Sequence, residues 1–506
     1  MSSRHWLAAG DIGFIRTVTL LGSILLSVLA ILLNELPNSD AYTYIRTAEI
    51  AINQGMGAAF AHYQWAQFPL MMAALHKLTG ISLIGAANLI NAALFALLSL
   101  SFVNIVAAIT PSRRTIWLAA VCILLYPHLN EFRSYVIRDI GYLAFSLLAV
   151  YYLIVYATSL RFRFGLYFML SCLAAALFRP EALLFLFLTP VAILAPGQLL
   201  VNLRQRAFLR LQILSVLTVL GLGMLVALML GLDIAAQIGV FLNIYQPFIG
   251  NLAPLFGAEA VQLEQVVFGE YASQFVGDYT GIFLAAGLVA VLLSCVIDSL
   301  GLAVAPLLIY GWWKRFLSLP QPALAVLLSW IVAAGSILLM FVLVTRFTTT
   351  RYTLLLCLLL LVFVPFVIDR GWGHAVSQQK RGFMRWVALL AVYAAVDGHF
   401  SLGASKAHLD EASEWIRSST RVTSALITNE IHIAYQSGRV EDYELVRREM
   451  PVGTISSARP GTIIAVTPRR SFQAELDAGF ANGSLRLLKE FPAERGAALL
   501  VIEKEL

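Results

Sequence analysis

The chain has 506 residues, of which 59% are hydrophobic and only 13% charged, about half the charged share of an ordinary soluble domain. That shortage excludes both a soluble multidomain enzyme and a disordered chain. The net charge of +6 does not signal nucleic acid, because the positive excess lies before residue 400, where a membrane domain gathers Lys and Arg in its cytoplasmic loops. Residues 401–506, by contrast, carry 13 positive and 14 negative side chains, the composition of a water-soluble domain. The expected organisation is a polytopic α-helical membrane domain, 1–400, followed by a soluble domain, 401–506.

A spanning helix needs about 20 mainly apolar residues. The first run, 18–36, follows Arg4 and Arg16 and ends at Asn34-Glu35-Leu36-Pro37, which is not a small-residue cleavage site. It therefore reads as a retained helix entered from the cytoplasm. Ten further apolar runs follow at 81–109, 115–129, 140–160, 164–178, 182–196, 211–231, 280–311, 323–344, 352–368 and 385–397. Alternate loops hold Arg113-Arg114, Arg161 and Arg163, then Arg204, Arg206 and Arg210, then Lys314-Arg315, and last Arg370, Lys380 and Arg381. The positive-inside rule puts these loops in the cytoplasm, which gives about eleven spans, in a range of ten to thirteen, and an extracytoplasmic tail.

Two long segments then face outward, 37–80 and 232–279. The first has helical patterning at 41–53 and 68–78 but too few apolar residues to cross, so it is expected along the membrane surface. The second, rich in Phe, Tyr and Gly, has the composition of a lid that orders on a substrate. In the tail, 407–417 and 471–478 read as helices, and 422–428, 462–466, 485–488 and 497–502 as strands, a small α/β domain. The four cysteines all lie in apolar runs, with neither metal-ligand nor disulfide spacing.

Charge at membrane depth or at its edge is costly, so such residues are candidates for function. Asp40 comes shortly after the first helix, in Ser39-Asp40-Ala41-Tyr42-Thr43-Tyr44. It reads either as a helix N-cap or as a working carboxylate. Asp139, in Tyr135-Val136-Ile137-Arg138-Asp139, opens a span. Arg138 and Asp139 are adjacent and do not share a helix face, so Asp139 reads either as a second carboxylate that orients an acceptor or holds an Arg, or simply as a helix start. Arg179 and Glu181 flank Pro180 between two spans, where a structural ion pair is the favoured reading. Arg346 and Arg351 stand in a short loop, 345–351, where the positive-inside rule does not place them. They either snorkel or bind an anion. Tyr42, Tyr44, Tyr63 and Trp65 are able to stack on a sugar, although Tyr and Trp are also ordinary interface residues.

In order along the chain, Asp40 with Tyr44 and Arg46, Gln67-Phe68-Pro69-Leu70, Arg138-Asp139, Arg179-Pro180-Glu181, and Thr350-Arg351-Tyr352-Thr353-Leu354 resemble the GT-C membrane glycosyltransferases. They look most like the bacterial relatives of protein O-mannosyltransferases and the lipid A aminoarabinose transferase. The tail segments Trp415-Ile416-Arg417 and Tyr435-Gln436-Ser437-Gly438-Arg439 fit the same pattern. Some members of that superfamily carry two adjacent acidic residues in the first loop, whereas here Ala41 follows Asp40, so the resemblance leaves the sugar open.

The resemblance implies a bacterial inner-membrane enzyme with its tail in the periplasm. Its donor is a polyprenyl-phosphate sugar and its acceptor a lipid, a glycan or a protein. Asp40 is then the general base and Asp139 a second catalytic carboxylate. Arg346, Arg351, Tyr352 and Arg138 bind the donor phosphate, while Tyr44, Arg179 and Glu181 make structural or substrate contacts. One base and no evident nucleophile imply a single inverting displacement. No cofactor or His-based metal site is expected. The alternative of a divalent ion would place it between Asp40 and Asp139. A transporter or flippase of a lipid-linked saccharide competes with this reading, but the sequence shows no pair of similar halves with matching interrupted helices. A scaffold protein competes too, although an anchor has no need of Asp40, Arg138 and Arg351 on one side of the membrane.

Overall fold

A computed structural model describes residues 3–33, 36–195, 201–230, 279–379, 382–398, 406–494 and 496–505, with scattered positions between 231 and 278. The expected lid, 232–279, and the start of the tail fall almost wholly outside the described residues. The first helices are α1 (Ser3–Leu33), α2 (Ser39–Gln54), α3 (Met56–His62), α4 (Gln67–Thr79), α5 (Leu83–Ile109), α6 (Arg113–Leu125) and α7 (Pro127–Glu131). Then come α8 (Asp139–Ser159), α9 (Phe162–Ala176), α10 (Ala182–Leu188), α11 (Val201–Leu230), α12 (Thr280–Trp313) and α13 (Gln321–Thr345). The series continues with α14 (Thr350–Leu361), α15 (Val364–Ser377), α16 (Gly382–Asp397), α17 (Ala407–Ser419), α18 (Ile431–Ser437) and α19 (Gln473–Ala481). The strands are β1 (Leu426–Thr428), β2 (Ile463–Val466), β3 (Leu485–Phe491) and β4 (Leu499–Lys504).

By compactness the chain falls into two units. The helical unit is Met1–Leu26, Ala93–Phe132 and Arg138–His399; the mixed unit is Ser27–Ala92, Arg133–Ile137 and Phe400–Leu506. The mixed unit joins the first loop, 37–80, to the tail.

The protein is a polytopic helical membrane protein with a small C-terminal sheet. Among the described residues seven helices are long and apolar enough to cross a bilayer, or eight if the pair Arg113–Leu125 and Pro127–Ser134, bent by 44°, is one span. The remaining expected crossings at 164–178, 182–196 and 385–397 correspond to the short helices α9, α10 and α16. Burial separates the centre of the helical unit from its rim. In the most apolar 18-residue stretch of each, 72% is buried for Asp139–Ser159 and 78% for Thr350–Ser377, against 22% for Gly281–Trp313. Both enclosed spans start with the charged residues singled out above.

Close approach at the start of α8 depends on Gly141. A methyl group there would lie 2.4–2.5 Å from the ring carbons of Phe178. Phe178, itself stacked on Phe145 at 6.0 Å, immediately precedes Arg179. The missing side chain thus lets the α9–α10 turn settle against the first turn of α8.

In the mixed unit the strands form one sheet in the order β1-β2-β4-β3, with β1 and β2 parallel and the other pairs antiparallel. Alternate residues of β2 serve opposite faces. Ile463 and Ala465 pack with Leu409, Ile416 and Ile433 of α17 and α18, and Ile464 and Val466 pack with Phe472 and Leu476. Cover on both faces explains why this strand is uniformly apolar in sequence. The helix expected at 41–53 is present within α2, and Tyr42 on it packs against Ala434 and Tyr443 of the tail.

Gly141→Ala is expected to cost about 1–3 kcal/mol through overpacking against Phe178, and Phe178→Leu in the same protein to recover part of that loss. Heat-unfolding midpoints of the three variants in detergent check this.

Candidate active site

The α9–α10 turn exists because Pro180 lacks an amide hydrogen and restrains Arg179 before it. The turn closes through Arg179 N–H to Ala175 O and Ala182 N–H to Arg179 O. It presents Arg179 to α8, where Asp139 is the first helical residue and only 5% exposed. An acidic residue in the first turn is favoured by the helix dipole.

Arg179 donates from Nη1 to Asp139 Oδ1 at 2.7 Å and from Nη2 to Glu181 Oε1 at 2.7 Å. Its guanidinium also lies over two rings, Tyr352 at 4.9 Å and Tyr142 at 5.4 Å, contacts that favour a desolvated cation. Arg351 approaches the other oxygen of Asp139, with Nε 3.7 Å from Oδ2, and stands 5.5 Å from the Tyr352 ring. Arg138, at the N-cap position of α8, adds its charge to the field at Asp139 and Glu181. Three cations thus surround two carboxylates. Arg351, 26% exposed along its side chain against 14% for Arg179, is the one of this Arg pair more open to a ligand.

The structure therefore gathers Arg138, Asp139, Arg179, Glu181, Arg351 and Tyr352. The expected Arg179–Glu181 pair is formed, and Asp139 holds two arginines. Arg346 is exposed at the C-cap of α13 with a left-handed backbone, φ 56°. Both oxygens of Asp139 face guanidinium groups. That surrounding suits an anion beside it better than a divalent cation within it, and among the described residues no three His, Cys, Asp or Glu side chains cluster.

In the mixed unit the capping reading of Asp40 needs correction. Asn38 occupies the N-cap of α2, and its side chain is bound to another segment. It accepts Val136 N–H at 2.8 Å and donates to Val136 O at 3.2 Å. Asp40 follows within the first turn and is half-buried; the helix already begins before it, so its carboxylate is not the cap. Tyr44 is packed edge-on to Phe68 at 5.4 Å and tilted to Tyr63 at 5.9 Å, the surroundings of a structural aromatic.

Sequence reasoning missed the polar face of α2. Tyr42 O–H is 2.8 Å from His432 Nδ1, and His432 Nε2 is 2.7 Å from Asp410. Glu49 accepts from Tyr443 O–H at 2.9 Å. Burial of Tyr42 raises its pKa and burial of His432 lowers its pKa, the latter against the opposing pull of Asp410. The signal was present in the helical spacing of Tyr42, Arg46 and Glu49, but their partners lie nearly four hundred residues away.

No family profile matches the sequence and no curated protein does. Similar solved structures include three of the oligosaccharyltransferase of Archaeoglobus fulgidus. One, in complex with zinc and sulfate, is 15% identical over 79% of this chain and 55% of that one, with a TM-score of 0.40. A second, with an inhibitory peptide and a dolichol-phosphate, is 14% identical over 80% and 58%, with a TM-score of 0.43. A third, tethered to an acceptor peptide by a disulfide bond, is 13% identical over 86% and 59%, with a TM-score of 0.44. This chain thus spans less than two thirds of the length of those enzymes, and likeness at this level transfers no residue from one chain to the other.

Arg179→Gln is expected to lower stability by about 3–5 kcal/mol, because it leaves the buried Asp139 and the partly buried Glu181 without their shared partner. The triple change Arg179→Gln, Asp139→Asn, Glu181→Gln removes the charges together and is expected to recover much of it. Unfolding in detergent measures both.

Proposed function

We propose that the protein is a membrane glycosyltransferase that moves a sugar from a polyprenyl-phosphate donor to a hydroxyl acceptor on the extracytoplasmic side. The single observation that carries this reading is the cluster of Arg351, Arg179 and Arg138 about Asp139 at the start of two enclosed membrane helices. A lipid-linked donor keeps its chain in the bilayer and its phosphate at the interface, where such a cluster meets it.

In the reaction the acceptor hydroxyl attacks the anomeric carbon from the face opposite the phosphate. Its proton passes to Asp40 as general base. The bond from the anomeric carbon to the phosphate oxygen breaks, and its electron pair leaves with the lipid phosphate. Arg351 takes up the negative charge that develops there, with Arg138 adding to the positive field and Arg346 available from the same loop. Asp139 aims Arg351 through its second oxygen while Arg179 fixes its first. One displacement inverts the anomeric centre, with no glycosyl-enzyme intermediate. The tail sheet and α2 contribute by holding the segment that bears Asp40. The acceptor is a lipid, a glycan or a protein hydroxyl.

Transfer from a panel of radiolabelled polyprenyl-phosphate sugars in reconstituted membranes tests the reading. Asp40→Asn leaves the α2 cap in place, so a folded variant is expected to lose about a hundred- to ten-thousand-fold in turnover. Equal transfer by wild type and variant would remove Asp40 as the base. Movement of the lipid-linked sugar across the bilayer without transfer would favour a flippase instead.

A further inference from the structure

A groove of about 770 Å³ runs between α12 and α16 in the helical unit. Its walls are largely apolar, the charged residues among them are two carboxylates, Asp298 and Asp397, and Tyr310, Trp313 and Trp386 also line it. The helices pair through Tyr310, which stacks on Phe383 at 5.0 Å and meets Trp386 at 6.0 Å. Both aspartates line the groove. They stand at the end of the unit that carries Arg351. The residue after Asp298, Ser299, bonds Thr353 Oγ1 at 2.5 Å, and the residue after Asp397, Gly398, lies against Pro127.

Asp397 accepts from Tyr393 O–H at 3.1 Å. Asp298 is exposed on the groove and has no hydrogen-bond or ion-pair partner among the described residues. A carboxylate on the apolar surface of a membrane helix is costly without a counter-charge. The groove wall is also broken at Gly301, with φ 62° and ψ 179°, a conformation almost confined to glycine. Such a break leaves carbonyls of the preceding turn without their in-helix donors. One of them, Ser299 O, takes the Tyr126 hydroxyl. Broken backbone at membrane depth persists where protein or a polar cavity satisfies it. Two carboxylates on an otherwise largely apolar groove call for a cation that only donates, and a primary ammonium has three N–H bonds to give.

We propose that this groove binds one membrane lipid with a primary-amine head group. Its ammonium sits between Asp298 and Asp397, and one of its chains runs along α12 past Leu302 toward Trp313. This site is separate from the arginine cluster and does not depend on the glycosyl-transfer reading. The acidic mouth rejects an anionic lipid as strongly as it attracts an amine, which gives the groove selectivity and not merely a greasy surface.

Native mass spectrometry of protein released from nanodiscs of equal phosphatidylethanolamine and phosphatidylglycerol tests it. Wild type is expected to retain phosphatidylethanolamine about tenfold over phosphatidylglycerol, the scale of two partly exposed charge pairs. The double variant Asp298→Asn, Asp397→Asn is expected to hold the two lipids within about twofold of each other. Leu302→Trp, which fills the groove at an exposed position, is expected to lose both. Equal retention of the two lipids by wild type would overturn the proposal. So would undiminished selectivity in the double variant, unchanged retention in Leu302→Trp, or a second copy of the chain found in place of the lipid.

Discussion

One guanidinium organises the helical unit. Arg179 joins the first residue of α8 to the turn between α9 and α10, and lies between Tyr142 and the Tyr352 ring of α14. None of its neighbours tolerates its removal easily, because two carboxylates in a poorly hydrated place depend on it. The turn that presents it needs Pro180, and the approach that lets it reach Asp139 needs the absent side chain at Gly141. Sequence features that look unrelated, a proline, a glycine and three charges, are thus parts of one packing solution.

That solution has a chemical consequence. Because Arg179 takes one oxygen of Asp139, the other is left facing Arg351. In the proposed reaction Asp139 positions Arg351, and the base is a carboxylate in other surroundings. The proposed base, Asp40, is half-buried in the first turn of α2, two residues after the N-cap position at Asn38. The mixed unit gives α2 a firm seat, since Tyr42 and Glu49 are each bonded to residues of the tail. The tail therefore helps build the first-loop segment that carries Asp40.

Much of this was legible in the sequence, and the limits have physical causes. The long apolar runs announced most of the helices, since one periodic pattern fixes a helix wherever its neighbours lie. The strands of the tail were legible from continuous apolar stretches such as Ile463-Ile464-Ala465-Val466. The pairing of Arg179 with Glu181 followed from proximity across Pro180. The grasp of Arg179 and Arg351 on Asp139 did not, because those contacts bridge segments far apart in the chain and no local pattern encodes them. Tyr42 was read as a sugar-stacking candidate, and its bond to His432 was missed for the same reason: His432 and Asp410 meet it only after folding. Asp40 was misplaced by two residues in the helix start, an ordinary uncertainty where Asn and Asp both suit a cap.

The claim on which this account rests most is that Arg351, aimed by Asp139, takes the phosphate of a lipid-linked donor. Binding of a polyprenyl monophosphate to the purified protein in nanodiscs, compared between wild type and Arg351→Gln, tests it most directly. The account predicts affinity about ten- to a hundredfold weaker in the variant, the scale of a lost charged hydrogen bond, with Arg351→Lys in between. Equal affinity in a folded Arg351→Gln protein would contradict it.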